Sequence, residues 1–285
     1  MTTQLIVVSD PHINSTVALG MPGFNLDDGG TYRPNRTGYW LWRSWLEFWQ
    51  EVDKLDGRKI VCFLGDLAEL DTMRRTTQIV GGNKADIQKL VQYTIEPAVE
   101  RADQLIFIRG TPAHEGKGCW IEETVGNDYD NTIFDKSEVR QKFDENGNEN
   151  KGKASWYHMR CVMDSVRLDI AHHCRLSGVP WGRSNSANNL AHKIFWQYTH
   201  DMEQPAPHLA LRAHNHKTAE SNGFRTQVSC SGSWTTPTEY CYRIGFENDI
   251  ADIGGDIFTL ENGNYTKRRI SFIPKESRRL WALKI

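Results

Sequence analysis

Short apolar runs of strand length alternate with stretches of helical periodicity in the N-terminal part of this chain. Residues 5–8 form a β-branched run that ends at Ser-Asp-Pro, residues 58–64 form a second run that leads into Gly65 and Asp66, and residues 104–108 form a third. Strands that alternate with helices in this way pair in parallel. The sequence therefore predicts an α/β fold whose sheet has a parallel portion.

The stretch between the first two runs has large apolar residues at the spacing of an α-helix. Its apolar stripe consists of Leu41, Trp45, Phe48, Val52 and Leu55, widened by Trp42, Leu46 and Trp49. A stripe this wide is typical of a helix that is buried on most of its surface. We therefore expect the tryptophans to be core residues rather than an aromatic platform for a base. A second helix is predicted over residues 85–101.

The second half of the chain has further strand-like runs and one more predicted helix. The runs are residues 156–161, 166–171, 208–213 and 225–230, and the helix covers about residues 187–198. Three more runs, residues 258–260, 269–272 and 280–285, are expected to complete a second sheet. The polar segment at 144–153 is a predicted turn or hairpin tip rather than a linker. Because no internal repeat or linker divides the chain, we expect residues 1–285 to form a single domain.

Composition and charge exclude some classes of protein. Hydrophobic residues make up 39% of the chain and charged residues 25%, as in folded globular proteins. The net charge of −2 argues against broad attraction to nucleic acid or to an anionic membrane, although a local basic groove stays open. The six cysteines form no CxxC pair, so reduced thiols are expected. The N-terminus has no secretory signal pattern, and no run approaches membrane-span length, which together predict a cytoplasmic protein.

Side chains that can bind a metal ion stand where four of the predicted strands end. These are Asp10 with His12, Asp66, His172 with His173, and His214 with His216. The carboxyl ends of strands are where α/β sheets gather their sites. Carboxylate oxygens and imidazole nitrogens together suit Mn²⁺, Fe or Zn²⁺, and a carboxylate can bridge two ions about 3.5 to 4 Å apart. The pattern indicates a metal centre that needs no thiolate ligand.

Each of these signals also has a structural explanation when it is taken alone. Asp10 can cap the turn that follows its strand, and Asp66 can be a turn former. The His-Asn-His segment at 214–216 is stronger, because two histidines separated by one residue can each face one of two neighbouring ions. The hypothesis of a metal centre therefore depends on all four places together.

The order of the polar blocks resembles one known family. The blocks are S-D-P-H at 9–12, G-D-L-A-E at 65–69, R-G-T-P-A-H-E-G at 109–116, A-H-H at 171–173 and A-H-N-H at 213–216. In this order they resemble the motifs of the calcineurin-like metallophosphoesterases. The segment VSCSGSWTTP at 228–237 resembles the strand and Gly-Ser turn that follow that family's last histidines, so the resemblance runs from about residue 5 to residue 272.

The resemblance implies a four-layer αββα sandwich of two mixed β-sheets flanked by helices, with two divalent metal ions at one edge. Mn²⁺ is the expected metal, with Fe or Zn²⁺ as alternatives. The implied ligands are Asp10, His12 and His216 for the first ion, Asp66 as the bridge, and His172 with His214 for the second ion. We expect His172 rather than His173 at this position, because His172 continues the alternation by which every second residue of its strand points inward.

The chain departs from the family pattern in its third block. Family members have an Asn ligand directly after the Gly, whereas here Gly110 is followed by Thr111, and His114 comes three residues later. Either Thr111 or a water takes the ligand position, or His114 becomes a ligand itself. If His114 stays free, the resemblance makes it the catalytic acid that protonates the leaving oxygen or steadies charge on the phosphate, with Asp66 at the reacting centre.

The resemblance implies an enzyme that hydrolyses phosphoesters by in-line attack of a hydroxide shared by the two ions. We expect a phosphodiesterase or a nuclease acting on DNA or a nucleotide, because the aromatic-containing loop at 13–42 can stack against a base. A phosphomonoesterase of the same fold, and a decayed protein that only binds metal or a partner, are the alternatives. Arg109 and Arg212 flank site residues and either contact phosphate or pair with nearby acids. The sequence does not indicate an oligomeric state.

Overall fold

The computed structural model of the chain describes residues 2–70, 78–137, 139, 143, 150–222, 225–243 and 251–274. The elements of the first half are β1 (Thr3–Val8), α1 (Arg36–Asp53), β2 (Arg58–Leu64), α2 (Lys84–Val99), β3 (Gln104–Ile108), α3 (Pro112–Glu115), α4 (Trp120–Asn127) and β4 (Ser155–Trp156). The elements of the second half are β5 (Met159–Met163), β6 (Val166–Ile170), α5 (Arg183–Trp196), β7 (Leu209–Arg212), β8 (Ala219–Glu220), β9 (Gln227–Cys230), α6 (Glu239–Arg243), β10 (Ile253–Glu261) and β11 (Asn264–Phe272).

The strands form two mixed sheets. The first sheet has six strands in the order β11-β10-β1-β2-β3-β4, in which β1 to β4 are parallel and β10 and β11 are antiparallel. The second sheet has five strands in the order β5-β6-β7-β9-β8, in which β6, β7 and β9 are parallel. The first sheet thus has antiparallel strands at one edge only, β10 and β11, whereas the second sheet has an antiparallel strand at each edge, β5 and β8. The parallel pairing predicted from the strand and helix alternation is confirmed.

Three apolar layers separate the sheets and helices. Leu5 and Val7 of β1 point toward Leu168 and Ile170 of β6, so the two sheets pack face to face. Alternate residues of β1 lie in a second cluster beneath α1, α2 and α4, because successive strand side chains point to opposite faces. A third cluster lies between α5 and the outer face of the second sheet. The structure is the predicted four-layer αββα sandwich.

Helix α1 shows why its tryptophans are structural. The side chain of Asn35 caps its first turn by accepting a hydrogen bond from the Gly38 backbone N–H. Trp45 and Trp49 are fully buried and their rings meet edge to face, 5.2 Å apart. Trp234, which follows β9, packs edge to face on Trp45 at 4.8 Å. The prediction that these tryptophans form core rather than a platform for a base is confirmed.

Two strand predictions were wrong. The run at 156–161 is two strands, because β4 pairs with β3 in the first sheet whereas β5 pairs with β6 in the second, and one strand cannot join both. The runs at 258–260 and 269–272 belong to β10 and β11, which extend the first sheet beyond β1 rather than completing the second. Strand β1 pairs with β2 on one side only, so its other edge is available to β10, and this position lets Phe258 of β10 point into the core between the two sheets. The predicted strand at 280–285 and residues 144–149 of the predicted hairpin tip lie outside the described residues.

Two further observations limit what the fold can support. Among the described residues, no helix combines the length and apolar character that crossing a bilayer requires. The aromatic residues Phe24 and Tyr32 of the 13–42 loop are buried in the helix-side core rather than presented to a ligand. Phe24 and Tyr32 therefore give no support to the expectation that they stack against a base, and the exposed Tyr39 lies on α1 rather than in a loop.

Candidate metal centre

The carboxyl ends of four parallel strands bring the predicted site residues to one edge of the sandwich. Asp10 and His12 follow β1, and Asp66 follows β2, in the first sheet; His172 follows β6, and His214 and His216 follow β7, in the second sheet. All the strands involved lie in the parallel centres of the two sheets. Because their carboxyl ends point to the same edge, residues that are far apart in the sequence meet there.

The backbone is strained at most of these positions. Five of them have φ values in the left-handed region although none is glycine: Asp10 (49°), His12 (44°), Asp66 (50°), His214 (78°) and His216 (54°). Such backbone costs of the order of 1 to 3 kcal/mol each unless the surroundings hold it, and it is found mainly at functional sites. Backbone hydrogen bonds fix it here, because the Asp10 N–H donates to Gly65 O and the His12 N–H donates to Asp66 O, both at 3.1 Å.

Asp10, His12 and His216 form the first group of donors. Nε2 of His216 lies 3.3 Å from Oδ1 of Asp10 and 3.1 Å from Nε2 of His12. Nε2 of His12 lies 3.9 Å from the same aspartate oxygen. One donor atom from each residue lies within 4.8 Å of the other two, which is the spacing of ligands around a single metal ion. These are the three residues that the resemblance assigns to the first ion.

Asp66, His172 and His214 form the second group. Nε2 of His172 is 3.1 Å from Oδ2 of Asp66, and Nδ1 of His214 is 3.9 Å from the same oxygen. The ring of His172 is oriented by its other nitrogen, because Nδ1 donates to Leu64 O at 2.6 Å. His173 is exposed and packs beside the His214 ring, outside this group. Of these two histidines, His172 alone contributes a donor atom to the groups found among the described residues.

Asp66 also lies close to the first group. Together with His12 and His114 it forms a third set of donor atoms within 4.8 Å of one another. Nε2 of His172 lies 3.9 Å from Oδ1 of Asp10, which links the two groups from the other side. The carboxylates of Asp10 and Asp66 therefore both lie between the two sets of histidines. A bridging role for Asp66 is compatible with this arrangement.

The donor set fits divalent metal ions. Oδ1 of Asp10 and Nδ1 of His214 are buried and have no hydrogen-bond partner among the described residues, and buried polar atoms of this kind are costly unless something satisfies them. Both atoms belong to the groups described above and are available as ligands. The donors are oxygens and nitrogens without a thiolate, which suits Mn²⁺, Fe or Zn²⁺. Asp and His residues that can hold metal ions are thus present at the predicted edge.

Electrostatics keep the two aspartates ionised. Burial raises the pKa of Asp10, but the charge of His172 and the nearby His216 outweigh burial, so the pKa lies below its usual value. The pKa of Asp66 is lowered further, because hydrogen bonding and charge from His172 outweigh its burial. Burial lowers the pKa of His172, yet the two aspartates raise it to about 9. Both aspartates are therefore ionised at neutral pH and available as anionic ligands.

Two glycines are required where the chain passes close to Asp66 and to the His172 ring. A Cβ on Gly110 would come within 2.2 Å of the Asp66 backbone N, and a Cβ on Gly65 would come within 2.4 Å of the His172 ring. Gly65 also has a φ of 86°, which favours glycine. Ala213, which stands where the family has a further glycine, does not have a positive φ. The expectation that Ala is tolerated there is consistent with this backbone.

Thr111 stands at the position where the family has its Asn ligand. Its backbone N–H and its hydroxyl donate to Oδ1 of Asp66 at 2.5 and 3.0 Å, and the hydroxyl is 3.3 Å from Oδ2, the oxygen that faces His172. The donor atom of His114, by contrast, lies close to those of His12 and Asp66, on the side of the first group. The geometry therefore favours Thr111 over His114 as the residue beside the second group.

Glu69 is a site residue that the sequence reasoning did not single out. Its Oε2 accepts hydrogen bonds from Nδ1 of His12 at 3.0 Å and from Nδ1 of His114 at 2.7 Å. Burial lowers the pKa of His114, but the hydrogen bond to Glu69 raises it above its usual value. The signal was present in the sequence, because Glu69 lies three residues after Asp66 in the G-D-L-A-E block.

The two arginines that flank the site are ion-paired. Nη2 of Arg109 lies 3.0 Å from Glu123, and Nη2 of Arg212 lies 2.6 Å from Asp169. Both guanidinium groups are largely buried by these contacts. The arrangement agrees with the alternative in which these arginines pair with nearby acids.

A cleft of about 280 Å³ opens onto the metal-competent groups. On one side it has His12, His114, His214 and His216 with Glu69, and on the other a hydroxyl-rich wall formed by Ser15, Thr235, Thr236 and Thr238. Lys217 is the one lysine or arginine among its lining residues in the described part of the chain. Thr235 and Thr236 of this wall belong to the VSCSGSWTTP segment, whereas Ser15 lies in the loop after β1 and Thr238 directly follows the segment.

No family model matches the sequence, and no curated protein matches it. Among solved structures, the chain is similar to an archaeal phosphodiesterase, with 11% identity, a TM-score of 0.42, and 94% of this chain and 99% of that chain covered. It is also similar to Vacuolar Protein Sorting 29 from Cryptosporidium parvum, with 11% identity, a TM-score of 0.40, and 95% and 98% covered. The chain is also similar to the E. coli phosphoesterase YfcE, with 12% identity, a TM-score of 0.37, and 93% of this chain and 98% of that chain covered.

The identities and TM-scores are low, so the description of this chain rests on its own strand order and residues. Two mixed sheets pack between layers of helices, and five motif blocks end their strands at one edge. In fold and in the order of its candidate metal ligands, the chain resembles the calcineurin-like metallophosphoesterases.

Proposed function

We propose that this chain is a dinuclear metal-dependent phosphoester hydrolase that acts on phosphodiesters. The observation that carries the proposal is the pair of donor groups, one with Asp10, His12 and His216 and one with Asp66, His172 and His214, at one edge of the sandwich. Histidines and carboxylates placed in this way are the ligands of two-metal hydrolases. Oδ1 of Asp10 and Nδ1 of His214 are buried without a hydrogen-bond partner among the described residues, so each is available to bind an ion.

In this proposal the first group holds one ion, the second group holds the other, and Asp66 lies between them. Mn²⁺ is the preferred metal, with Fe or Zn²⁺ as alternatives. When bound, two such ions supply Lewis-acid charge that activates water near neutral pH and binds the phosphate oxygens. The hydroxyl of Thr111, next to Asp66 and on the side of His172, supports the second group in place of the missing Asn.

His114 is the proposed acid for the leaving group. Glu69 accepts a hydrogen bond from Nδ1 of this histidine, which fixes the ring and leaves Nε2 available to the substrate. His114 also lines the cleft, so a bound ester is within its reach. A proton on Nε2 can then pass to the oxygen of the departing alcohol. Glu69 acts as a positioning residue, because it orients both His114 and the ligand His12.

The cleft supports a small diester as the substrate. Its volume of about 280 Å³ is near the lower end for small-molecule pockets, and its hydroxyl wall can donate hydrogen bonds to a sugar or phosphate. Nucleic acid is bound mainly by lysine and arginine, and only Lys217 lines the cleft in the described part of the chain. We therefore propose a nucleotide-sized diester before DNA. A cytoplasmic location and a single domain over residues 1–285 are parts of the same proposal.

A substrate panel tests the function. The protein, loaded with Mn²⁺, is assayed on bis(p-nitrophenyl) phosphate, p-nitrophenyl phosphate, cyclic nucleotides, and single-stranded and duplex DNA, and its bound metal is measured by mass spectrometry. We expect close to two metal equivalents and preferential cleavage of the small diesters. Preference for the monoester indicates a phosphatase, preference for DNA indicates a nuclease, and absence of both metal and turnover indicates a decayed site.

Asp66→Asn and a matched Asp130→Asn control separate this activity from a contaminant. Asp66 is a buried member of the candidate metal centre, whereas Asp130 is fully exposed and pairs with Lys151 at 3.1 Å. We expect Asp66→Asn to lose metal and more than roughly 100-fold in turnover, while Asp130→Asn matches the parent. Turnover that survives Asp66→Asn would place the activity elsewhere.

A further inference from the structure

Two cysteines lie in contact a short distance behind the metal-competent groups. The sulfur atoms of Cys174 and Cys230 are 3.4 Å apart, and the two residues are 3% and 0% exposed. Cys174 lies in the loop after β6, and Cys230 is the last residue of β9. No other pair of cysteine sulfurs in the described residues makes a hydrogen-bond contact. The scattered spacing of the six cysteines gave no sign of this pair, because 56 residues separate its members.

The pair is attached to the segments that carry three of the six candidate ligands. Cys174 comes two residues after His172, and its backbone carbonyl accepts a hydrogen bond from the side chain of Asn215. Asn215 stands between His214 and His216, and its Oδ1 also accepts a hydrogen bond from the Leu176 N–H at 3.3 Å. A change at Cys174 is therefore passed to both histidine segments through short, direct contacts.

Cys230 is the fixed member of the pair. It ends a buried strand that is paired with β7, where its register partner is Arg212. The neighbouring Ser231 N–H donates to Arg212 O at 2.8 Å, which holds the end of β9 against β7. Cys174, in contrast, lies in a loop rather than in a strand. When the sulfurs approach each other, the loop that follows His172 moves more than β9 does.

We propose that Cys174 and Cys230 are a redox modification site, at which hydrogen peroxide oxidises the two thiols to a reversible disulfide. One thiol attacks the peroxide oxygen and becomes a sulfenic acid, and the first water leaves. The second thiol then displaces the sulfenic oxygen as a second water, so that two thiols lose two electrons and one peroxide gains them. A small dithiol reverses the reaction by exchange. In a reducing compartment, disulfides of this kind are usually transient and regulatory.

The disulfide weakens metal binding at the second group, a consequence that rests on the proposed role of His172 as a ligand. A disulfide requires a sulfur separation of about 2.05 Å, so the two sulfur atoms, which lie 3.4 Å apart, must approach each other by more than about 1 Å, and we expect the Cys174 loop to take up most of this movement. Ligand geometry is productive only within about 0.5 Å. Changes in the groups that orient a ligand typically lower metal affinity about 10- to 100-fold. We expect a loss of roughly ten-fold for one of two equivalents.

The disulfide itself is tested without any assay of activity. The reduced protein is treated with hydrogen peroxide while folded, then denatured in urea that contains N-ethylmaleimide, so that every remaining thiol is blocked, and digested with trypsin without reduction. The expected product joins peptides 168–175 and 226–243. Because the second peptide also contains Cys241, fragmentation or a Cys241→Ser background must assign the link to Cys230. Complete alkylation of Cys174 in the peroxide-treated protein would overturn the proposal.

Metal affinity tests the link to the centre. Mn²⁺ binding is titrated before oxidation, after oxidation, and after reduction with dithiothreitol, in the parent and in Cys230→Ser and Cys174→Ala. We expect the ten-fold loss only in the parent, with recovery on reduction. Cys161→Ser, a partly buried cysteine of β5, is the matched control and should respond like the parent. Unchanged affinity in a protein shown to carry the disulfide would overturn the link. A protein that forms the disulfide but hydrolyses no phosphoester would reject only the proposed function.

Discussion

Nε2 of His172 lies 3.1 Å from Oδ2 of Asp66, although 106 residues separate them in the sequence. His172 follows a strand of the second sheet and Asp66 follows a strand of the first, so their contact joins the two sheets at the edge where the parallel strands end. The candidate centre is therefore a property of how the sheets pack. Predictions about it concern residues from both sheets.

Glu69→Gln tests the carboxylate that orients two histidines. The amide keeps the shape of the side chain but loses the charge shared by Nδ1 of His12 and Nδ1 of His114. We expect kcat to fall about 10- to 100-fold and metal affinity about ten-fold, with a small change in KM. Glu51→Gln, a surface glutamate of α1 paired with Arg268, is the control. If Glu69→Gln and Glu51→Gln had equal kcat values, Glu69 would have no positioning role.

Thr111→Val tests the replacement for the family's Asn. Valine keeps the volume of threonine but loses the hydroxyl that lies 3.0 and 3.3 Å from the two Asp66 oxygens. We expect one of the two Mn²⁺ equivalents to bind roughly ten-fold more weakly, as measured by titration calorimetry, and Thr111→Ser to bind as the parent does. If Thr111→Val also binds as the parent does, a water rather than the hydroxyl supports the second group.

Trp45→Ala tests the core beneath the first sheet. Trp45 is fully buried, and its indole N–H donates to Thr94 O at 3.0 Å. Truncation leaves a cavity and an unpaired carbonyl, so the free energy of unfolding in urea should fall by about 3 to 5 kcal/mol. Tyr39→Ala on the same helix removes a side chain that is 44% exposed and should cost much less. Equal losses would contradict the burial of this helix face.

Asp169 gives the stability a dependence on pH. Burial raises its pKa, but the hydrogen bond from His158 and the charge of Arg212 outweigh burial, so the pKa lies well below its usual value. An aspartate with a lowered pKa in the folded state stabilises the protein above the unfolded value of about 3.9, and this contribution is lost as the pH falls through the folded value. Asp169→Asn should cost about 3 kcal/mol at pH 7, because Arg212 stays buried without its partner.

The measurement for Asp169 is urea unfolding at pH 7, 5, 4 and 3. The difference between the parent and Asp169→Asn should stay constant from pH 7 to about pH 5 and then shrink toward pH 3. Asp130→Asn removes a fully exposed carboxylate and should follow the parent at every pH. A difference for Asp169→Asn that does not depend on pH would exclude ionisation of this carboxyl as the cause.

Much of the fold could be predicted from local sequence. The strands at 58–64 and 104–108 have the predicted bounds, because a run of buried apolar residues between polar turns specifies a central parallel strand. The predictions failed where a choice of partner decided the outcome. Residues 258–260 are equally compatible with either sheet, and only the free edge of β1 selected the first. The run at 156–161 gave no local sign that its two ends join different sheets.

The sequence by itself determined which residue types stand at the strand ends, and their order indicated a metal centre with Asp10, Asp66, His172 and His214. Only the tertiary structure decided what these residues contact, because distances between them depend on the packing of two sheets whose strands are far apart in the chain. For the same reason, the contacts of Glu69 with His12 and His114, and the contact between Cys174 and Cys230, depend on the fold rather than on local sequence. A side chain's partners are set by the fold, whereas the sequence lists only its neighbours along the chain.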